Sequence, residues 1–203
     1  MKKTDTKTIW TPANIVTLVR TLLVPVFVIV LLSPWPASMD FWPEADLYKP
    51  WVAALVFLLI SLSDKVDGYL ARSRGEVTDF GKFMDPLADK ILVVAALLAL
   101  MELRMLPSWP VLIIIIREFV VSGLRMFAAS RNKVIAASPW GKAKTVSQII
   151  AILLFIVKGS ALIPSQFYWP MYIFSWFVMV IALILTIVSM IDSLYKCRDL
   201  FKA

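Results

Sequence analysis

Residues 61–90 read SLSDKVDGYLARSRGEVTDFGKFMDPLADK, and long apolar runs flank the stretch on both sides. Asp64, Asp67, Asp85 and Asp89 are therefore expected at or near the depth of hydrocarbon, where a carboxylate is costly and is kept for function. Positions i, i+3, i+4, i+7 and i+8 of a helix share a face. Asp64, Asp67, Gly68, Ala71 and Arg72 fit such a stripe on one helix, while Gly81, Asp85 and Asp89 repeat by fours on the next. If the stripes face each other, four carboxylates converge. Left alone they would repel one another, and some would stay protonated. Two divalent cations would neutralise them, and carboxylates bridging ions ~3.5–4 Å apart form a two-metal phosphoryl-transfer site.

The composition sets the stage for that stretch. The chain has 203 residues, 60% hydrophobic and 17% charged, with a mean hydropathy of +0.81. A soluble domain would be closer to about half apolar and about a quarter charged. Several windows reach the ~18 apolar residues of a membrane-crossing helix. The expected fold class is all-α: a polytopic membrane protein with six transmembrane helices, at 14–32, 51–72, 80–102, 109–129, 143–163 and 168–192. One domain is expected over 1–203, comprising an N-terminal segment 1–13, a six-helix bundle 14–195 and a tail 196–203. The opening MKKTDTKTIW and the apolar run after it have the outline of a signal peptide. The run is long, however, and SPWPASMD is a weak cleavage site, so the reading is a retained first span.

Six spans put both termini on one side. Most basic residues share that side, and only Lys49, Arg104 and Lys158 fall on the other. The positive-inside rule then makes both termini cytoplasmic, and it assigns the net charge of +7 to loops beside anionic lipid rather than to nucleic acid. The segments SPWPASMDFWPEADLYKP, LPSWP and IPSQFYWP read as outer connectors whose Trp and Tyr anchor at headgroup level.

What is missing narrows the chemistry. Cys197 is the single cysteine and histidine is absent. A disulfide within the chain, a histidine base and a His- or thiolate-ligated metal are excluded. Any metal must be held by oxygen, which favours Mg²⁺ or Mn²⁺.

Beside the aspartates, Gly68, Ala71 and Gly81 remove side-chain bulk, either for close helix packing or as a slot for a flat ring. Arg72 offers a fork of donors suited to phosphate oxygens. Asn14 and Thr17 either cap and pack the first helix or stand where a nucleotide phosphate sits, and Asp79 reads as a helix cap. A second constellation comprises Arg20, Arg117, Arg125, Lys142 and Lys144. An acceptor carrying a phosphate would use such cations, whereas inositol or serine alone would not. Each also has a plainer reading. Arg20 snorkels to the headgroups, Arg117 pairs with Glu118 or an aspartate, and Lys142 and Lys144 mark the inner side.

The pattern D-x-x-D-G-x-x-A-R-x8-G-x3-D-x3-D is matched at every fixed position, by Asp64, Asp67, Gly68, Ala71, Arg72, Gly81, Asp85 and Asp89. It resembles the signature of the CDP-alcohol phosphotransferases. The resemblance implies six transmembrane helices, a homodimer and cleavage of a CDP-linked donor with two divalent ions on the four aspartates. It also implies that the last of these, Asp89, is the base. The stretches ANIVTLVRTLLVPVF, DFGKFMDPLADK, REFVVSGLR and SPWGKAKTVSQ are similar to the bacterial branch that makes phosphatidylglycerophosphate. By that likeness the donor is CDP-diacylglycerol and the acceptor sn-glycerol 3-phosphate. The place is the bacterial cytoplasmic membrane, with the site on its inner side. Three rivals remain at this point: a sibling enzyme with another acceptor (phosphatidylglycerol, serine or inositol phosphate), an intramembrane prenyltransferase, and a cation transporter. The last would show broken helices, and Pro86 speaks for it.

Overall fold

The computed structural model describes the backbone of residues 12–33, 45–74, 79–131 and 138–198, and their side chains outside 12–17, 45–46, 64–89 and 129–130. Among the described residues there are six α-helices and no strand. They are α1 (Pro12–Leu32), α2 (Ala45–Arg74), α3 (Asp79–Glu102), α4 (Ser108–Ser130), α5 (Pro139–Val157) and α6 (Ser165–Cys197). The shortest, α5, has 19 residues. At 1.5 Å per residue that is about 28 Å, close to the ~30 Å hydrocarbon thickness of a bilayer. Among the described residues, α5 and α6 are long and apolar enough to cross a membrane, and shorter apolar segments run over Leu18–Leu32 and Leu47–Ser63.

The burial pattern of α6 is that of a helix in lipid. Its buried positions are Ser175, Met179, Ala182, Leu183, Thr186, Ser189, Ser193 and Cys197. Its exposed positions include Trp169, Ile173, Phe174, Phe177, Ile184 and Ile191. A helix in water would turn the large apolar face inward. Here small and hydroxylic residues face the neighbouring helices, which lets backbones approach closely. The hydroxyls are satisfied within the helix. Ser175 Oγ donates to the Met171 carbonyl at 2.7 Å, Thr186 Oγ1 to Ala182 at 2.6 Å and Ser193 Oγ to Ser189 at 2.8 Å. Hydrocarbon offers no water to take those bonds.

The chain forms two compact units, Met1–Ala96 and Leu97–Ala203. In the first, α1 packs on α2. The rings of Phe27 and Phe57 meet with centroids 5.5 Å apart, and Lys49 Nζ donates to the Ser33 carbonyl at 2.7 Å. Later residues of α1 thus meet earlier residues of α2, so the two helices run antiparallel. The buried stripe of α1 is Arg20, Val24, Phe27 and Leu31, one helical face.

In the second unit α6 packs on α5 and α4. Gln148 Nε2 donates to Thr186 Oγ1 at 3.0 Å, and the Phe155 and Trp176 rings meet edge to face at 5.4 Å, so α5 and α6 are antiparallel. Trp109 of α4 stacks on Trp176 at 6.3 Å and Arg117 bonds Ser189, so α4 and α6 are parallel. Local signals account for several boundaries. Ser138 caps α5 by accepting from the Trp140 amide at 3.2 Å, with Pro139 at the first helical position. Past the end of α3, Arg104 adopts φ 54. The amides of Met105 and Arg104 bond back to the carbonyls of Leu100 and Met101, each at 3.0 Å. That is a Schellman closure with arginine in the place usually held by glycine.

Three connectors differ from expectation. α2 begins at Ala45 and includes Pro50, and α6 begins at Ser165 and includes Pro170, both inside segments read as outer loops. Each Pro is the sixth residue of its helix, just past the first four amides that have no helical acceptor, so each forfeits one helical hydrogen bond near the helix start. α5 stops at Val157 rather than running to 163: past it the Ser160 amide turns back to the Val157 carbonyl at 2.9 Å in an i→i−3 bond, and Lys158 Nζ reaches the Met105 carbonyl at 3.2 Å. α3 continues without interruption through Pro86, so the break expected of a transporter is not found there.

Candidate functional site

The aspartate pattern lies on two consecutive helices. Asp64, Asp67, Gly68, Ala71 and Arg72 belong to the last turns of α2, and Gly81, Asp85 and Asp89 to the first turns of α3. Helical backbone at these positions gives the i, i+3 and i, i+4 spacing its meaning: each set shares one helix face. Their side chains, with those of Asn14, Thr17 and Asp79, lie outside the described residues. Among the described residues no group of acidic, histidine or cysteine side chains is placed to hold a metal. The donor chemistry of the pattern fits a hard divalent cation. It supplies four carboxylates, and the chain has no histidine and a single cysteine.

The described part of the candidate site is a buried polar cluster in the second unit. Arg117 and Glu118 of α4 and Lys144 of α5 are buried, at 6%, 7% and 4% exposure. Adjacent helical positions diverge by about 100°, so Arg117 reaches α6 while Glu118 reaches α5. Glu118 Oε1 accepts from Lys144 Nζ and also from Arg117 Nη1 at 3.3 Å. Arg117 Nη2 donates to Ser189 Oγ. One carboxylate oxygen thus ties two cations from two helices, and a third helix holds the free arm of the guanidinium. The three charged groups carry a surplus of one positive charge. Arg117 Nε is buried with no hydrogen-bond partner among the described residues. A surplus charge and an open donor in a low-dielectric setting favour an anion.

The five cations named from sequence separate on this evidence. Arg117 and Lys144 are brought together through Glu118. Arg125 and Lys142 lie on exposed surface, outside the buried cluster. Arg20 is buried, at 3% exposure, in the first unit. Sequence reasoning named Glu118 only as a neighbour for Arg117 and did not name Ser189. The available signal was the run Ser175, Ala182, Thr186, Ser189 and Ser193 on α6, small residues at alternating spacings of three, four and seven, which marks the inner face of that helix.

The sequence profile of CDP-alcohol phosphatidyltransferase matches residues 10–188, which takes in α1 to α5, most of α6 and both constellations. The chain belongs to the CDP-alcohol phosphatidyltransferase family. Three relatives carry the name CDP-diacylglycerol–glycerol-3-phosphate 3-phosphatidyltransferase. The Bacillus subtilis protein is 43% identical over 147 residues, 72% of this chain and 76% of its own length. The Haemophilus influenzae protein is 38% identical over 188 residues, 90% of each chain. The Wigglesworthia glossinidia protein is 35% identical over 192 residues, covering 92% and 94%. In this CDP-alcohol phosphatidyltransferase the matched span contains the complete aspartate pattern and Arg117, Glu118 and Lys144, while Ser189 lies one residue beyond it.

Proposed function

We propose that the chain transfers the phosphatidyl group from CDP-diacylglycerol to the C1 hydroxyl of sn-glycerol 3-phosphate, giving phosphatidylglycerophosphate and CMP. The observation that carries this reading is the eight-position pattern on consecutive helices, in a family member whose relatives are named for that reaction. The buried surplus of positive charge at Arg117 and Lys144 adds physical support, because it suits an acceptor that brings its own phosphate.

The roles follow from chemistry. Gly68, Ala71 and Gly81 leave room for the cytidine, and Arg72, Asn14 and Thr17 contact the donor phosphates. Asp64, Asp67, Asp85 and Asp89 would hold two divalent cations, Mg²⁺ or Mn²⁺, which supply charge neutralisation at the donor pyrophosphate. Arg117 and Lys144, with Arg20, Arg125 and Lys142 in the wider set, hold and orient the acceptor phosphate. Asp89 takes the proton of the C1 hydroxyl. That oxygen attacks the phosphorus bearing diacylglycerol, a new P–O bond forms, and the bond to CMP breaks with its electron pair leaving on CMP. No covalent intermediate is needed. Because the four carboxylates interact, they titrate as a group, and the base role of Asp89 is the simplest description of that group.

In this proposal residues 1–203 act as one membrane domain with six spans. Both termini and the active site lie on the inner side of a bacterial cytoplasmic membrane, and the working form is a homodimer. The purified protein is supplied with CDP-diacylglycerol and, in turn, glycerol 3-phosphate, serine, inositol phosphate or phosphatidylglycerol, and CMP is measured. Release with glycerol 3-phosphate alone is expected. Release with another acceptor instead would reassign the enzyme to a sibling reaction.

A further inference from the structure

We infer that Glu118 is a positioning residue for the acceptor: its carboxylate fixes Arg117 and Lys144, from two different helices, at the spacing an acceptor phosphate requires. The inference rests on the acceptor-binding role proposed above for those two cations.

The geometry is specific. Both cations are long and flexible, and two like charges brought together in a buried setting would separate if nothing held them. Among the described residues, Glu118 is the carboxylate that meets both. A single oxygen, Oε1, accepts from Lys144 Nζ and from Arg117 Nη1. Ser189 fixes the other terminal nitrogen of the guanidinium, so the Arg117 fork has two anchors on two sides. Among the described residues one carboxylate meets the two cations, so the pinning leaves these three groups with a net positive charge. Two carboxylates there would have cancelled the charge, and none would have let the cations drift. The remaining buried donor, Arg117 Nε, is without a partner among the described residues. The cluster therefore has the marks of a preorganised anion holder: fixed donors, surplus charge and an unfilled hydrogen bond.

Glu118 touches neither reacting atom. Its effect should therefore fall on acceptor binding and leave the donor side alone. The test compares E118Q, E118D, K144Q and the double variant E118Q/K144Q in detergent. The readouts are KM for glycerol 3-phosphate, KM for CDP-diacylglycerol and the thermal midpoint. Expected for E118Q is a tenfold or larger rise in acceptor KM with the donor KM within twofold. E118D keeps the charge but sets it one methylene further back, so it should fall between E118Q and the parent. If Glu118 acts through Lys144, the double variant should be little worse than K144Q alone.

A parental acceptor KM in E118Q, or fully multiplicative losses in the double variant, would overturn the inference. Equal rises in both KM values would also overturn it, because they mark a merely structural role. Should E118Q not be recoverable as folded protein, E118D carries the test, and a parental acceptor KM in E118D overturns the inference in the same way. K144Q separates the two layers of the argument. If it leaves the acceptor KM unchanged, the acceptor-site reading itself falls. If it raises that KM while E118Q does not, only the positioning role falls.

Discussion

Asp89 and Arg104 show how a single side chain is judged by the conformation and chemistry around it. Asp89 closes the aspartate pattern on α3, and the proton of the acceptor hydroxyl needs a carboxylate to receive it. Asp89→Asn is expected to abolish CMP release while a fluorescent CDP-diacylglycerol analogue still binds within a few-fold of the parent. Parental turnover in the variant would refute the base assignment. Arg104 holds a left-handed conformation, φ 54, in the closure after α3, where a β-carbon costs roughly 1–2 kcal/mol and glycine costs little. Arg104→Gly is therefore expected to stabilise the protein by about 1 kcal/mol, read as a rise in thermal midpoint in detergent. A fall would show that the arginine side chain contributes more than its backbone forfeits. The placement of the aspartate pattern on two consecutive helices was legible from spacing alone, because a costly residue type recurs on a helical period. Glu118 was not. Its partner Lys144 is 26 positions away, and no periodicity links α4 to α5.

Among the helices, α6 makes the clearest case. Ala182 is fully buried where α6 meets its neighbours. In lipid, association of helices depends on close contact rather than on water exclusion. Ala182→Leu forces extra volume into that contact and is expected to cost about 1–3 kcal/mol, measured as a lowered midpoint. Ile184→Ala, on the exposed face at 55% exposure, should change the midpoint little. Equal losses in both would mean that the two faces had been assigned wrongly. The order and number of described helices were readable from hydropathy, as each was an apolar run set off by charges or prolines. Their ends were harder. Asp46, Lys49 and Pro50 broke the apolar window while the backbone was already helical from Ala45. Leu162 and Ile163 extended the fifth window past the end of α5 at Val157. Hydropathy reports the solvent a segment prefers, whereas helix ends are set by caps and turns.

For the molecule as a whole, the basic residues carry the argument about sidedness. Lys49 and Lys158, two of the three basic residues expected on the outer side, each donate to a backbone carbonyl past a helix end, that of Ser33 and that of Met105. Lys158 Nζ also lies 3.6 Å from the Phe155 ring centroid and 4.9 Å from that of Tyr172. These lysines have local structural partners that give each a reason for its place independent of sidedness. A reporter active only in the cytosol, fused in turn to each terminus, is expected to be active at both. Activity at one end only would contradict an even number of spans.

The claim on which the enzyme reading stands is that Asp64, Asp67, Asp85 and Asp89 hold a pair of divalent ions. Electron paramagnetic resonance of the purified protein titrated with Mn²⁺ tests it most directly. The prediction is two ions per chain with the spin coupling of a pair ~3.5–4 Å apart, lost when all four aspartates are changed to asparagine. Uncoupled signals, or equal Mn²⁺ binding by the parent and the quadruple variant, would contradict it.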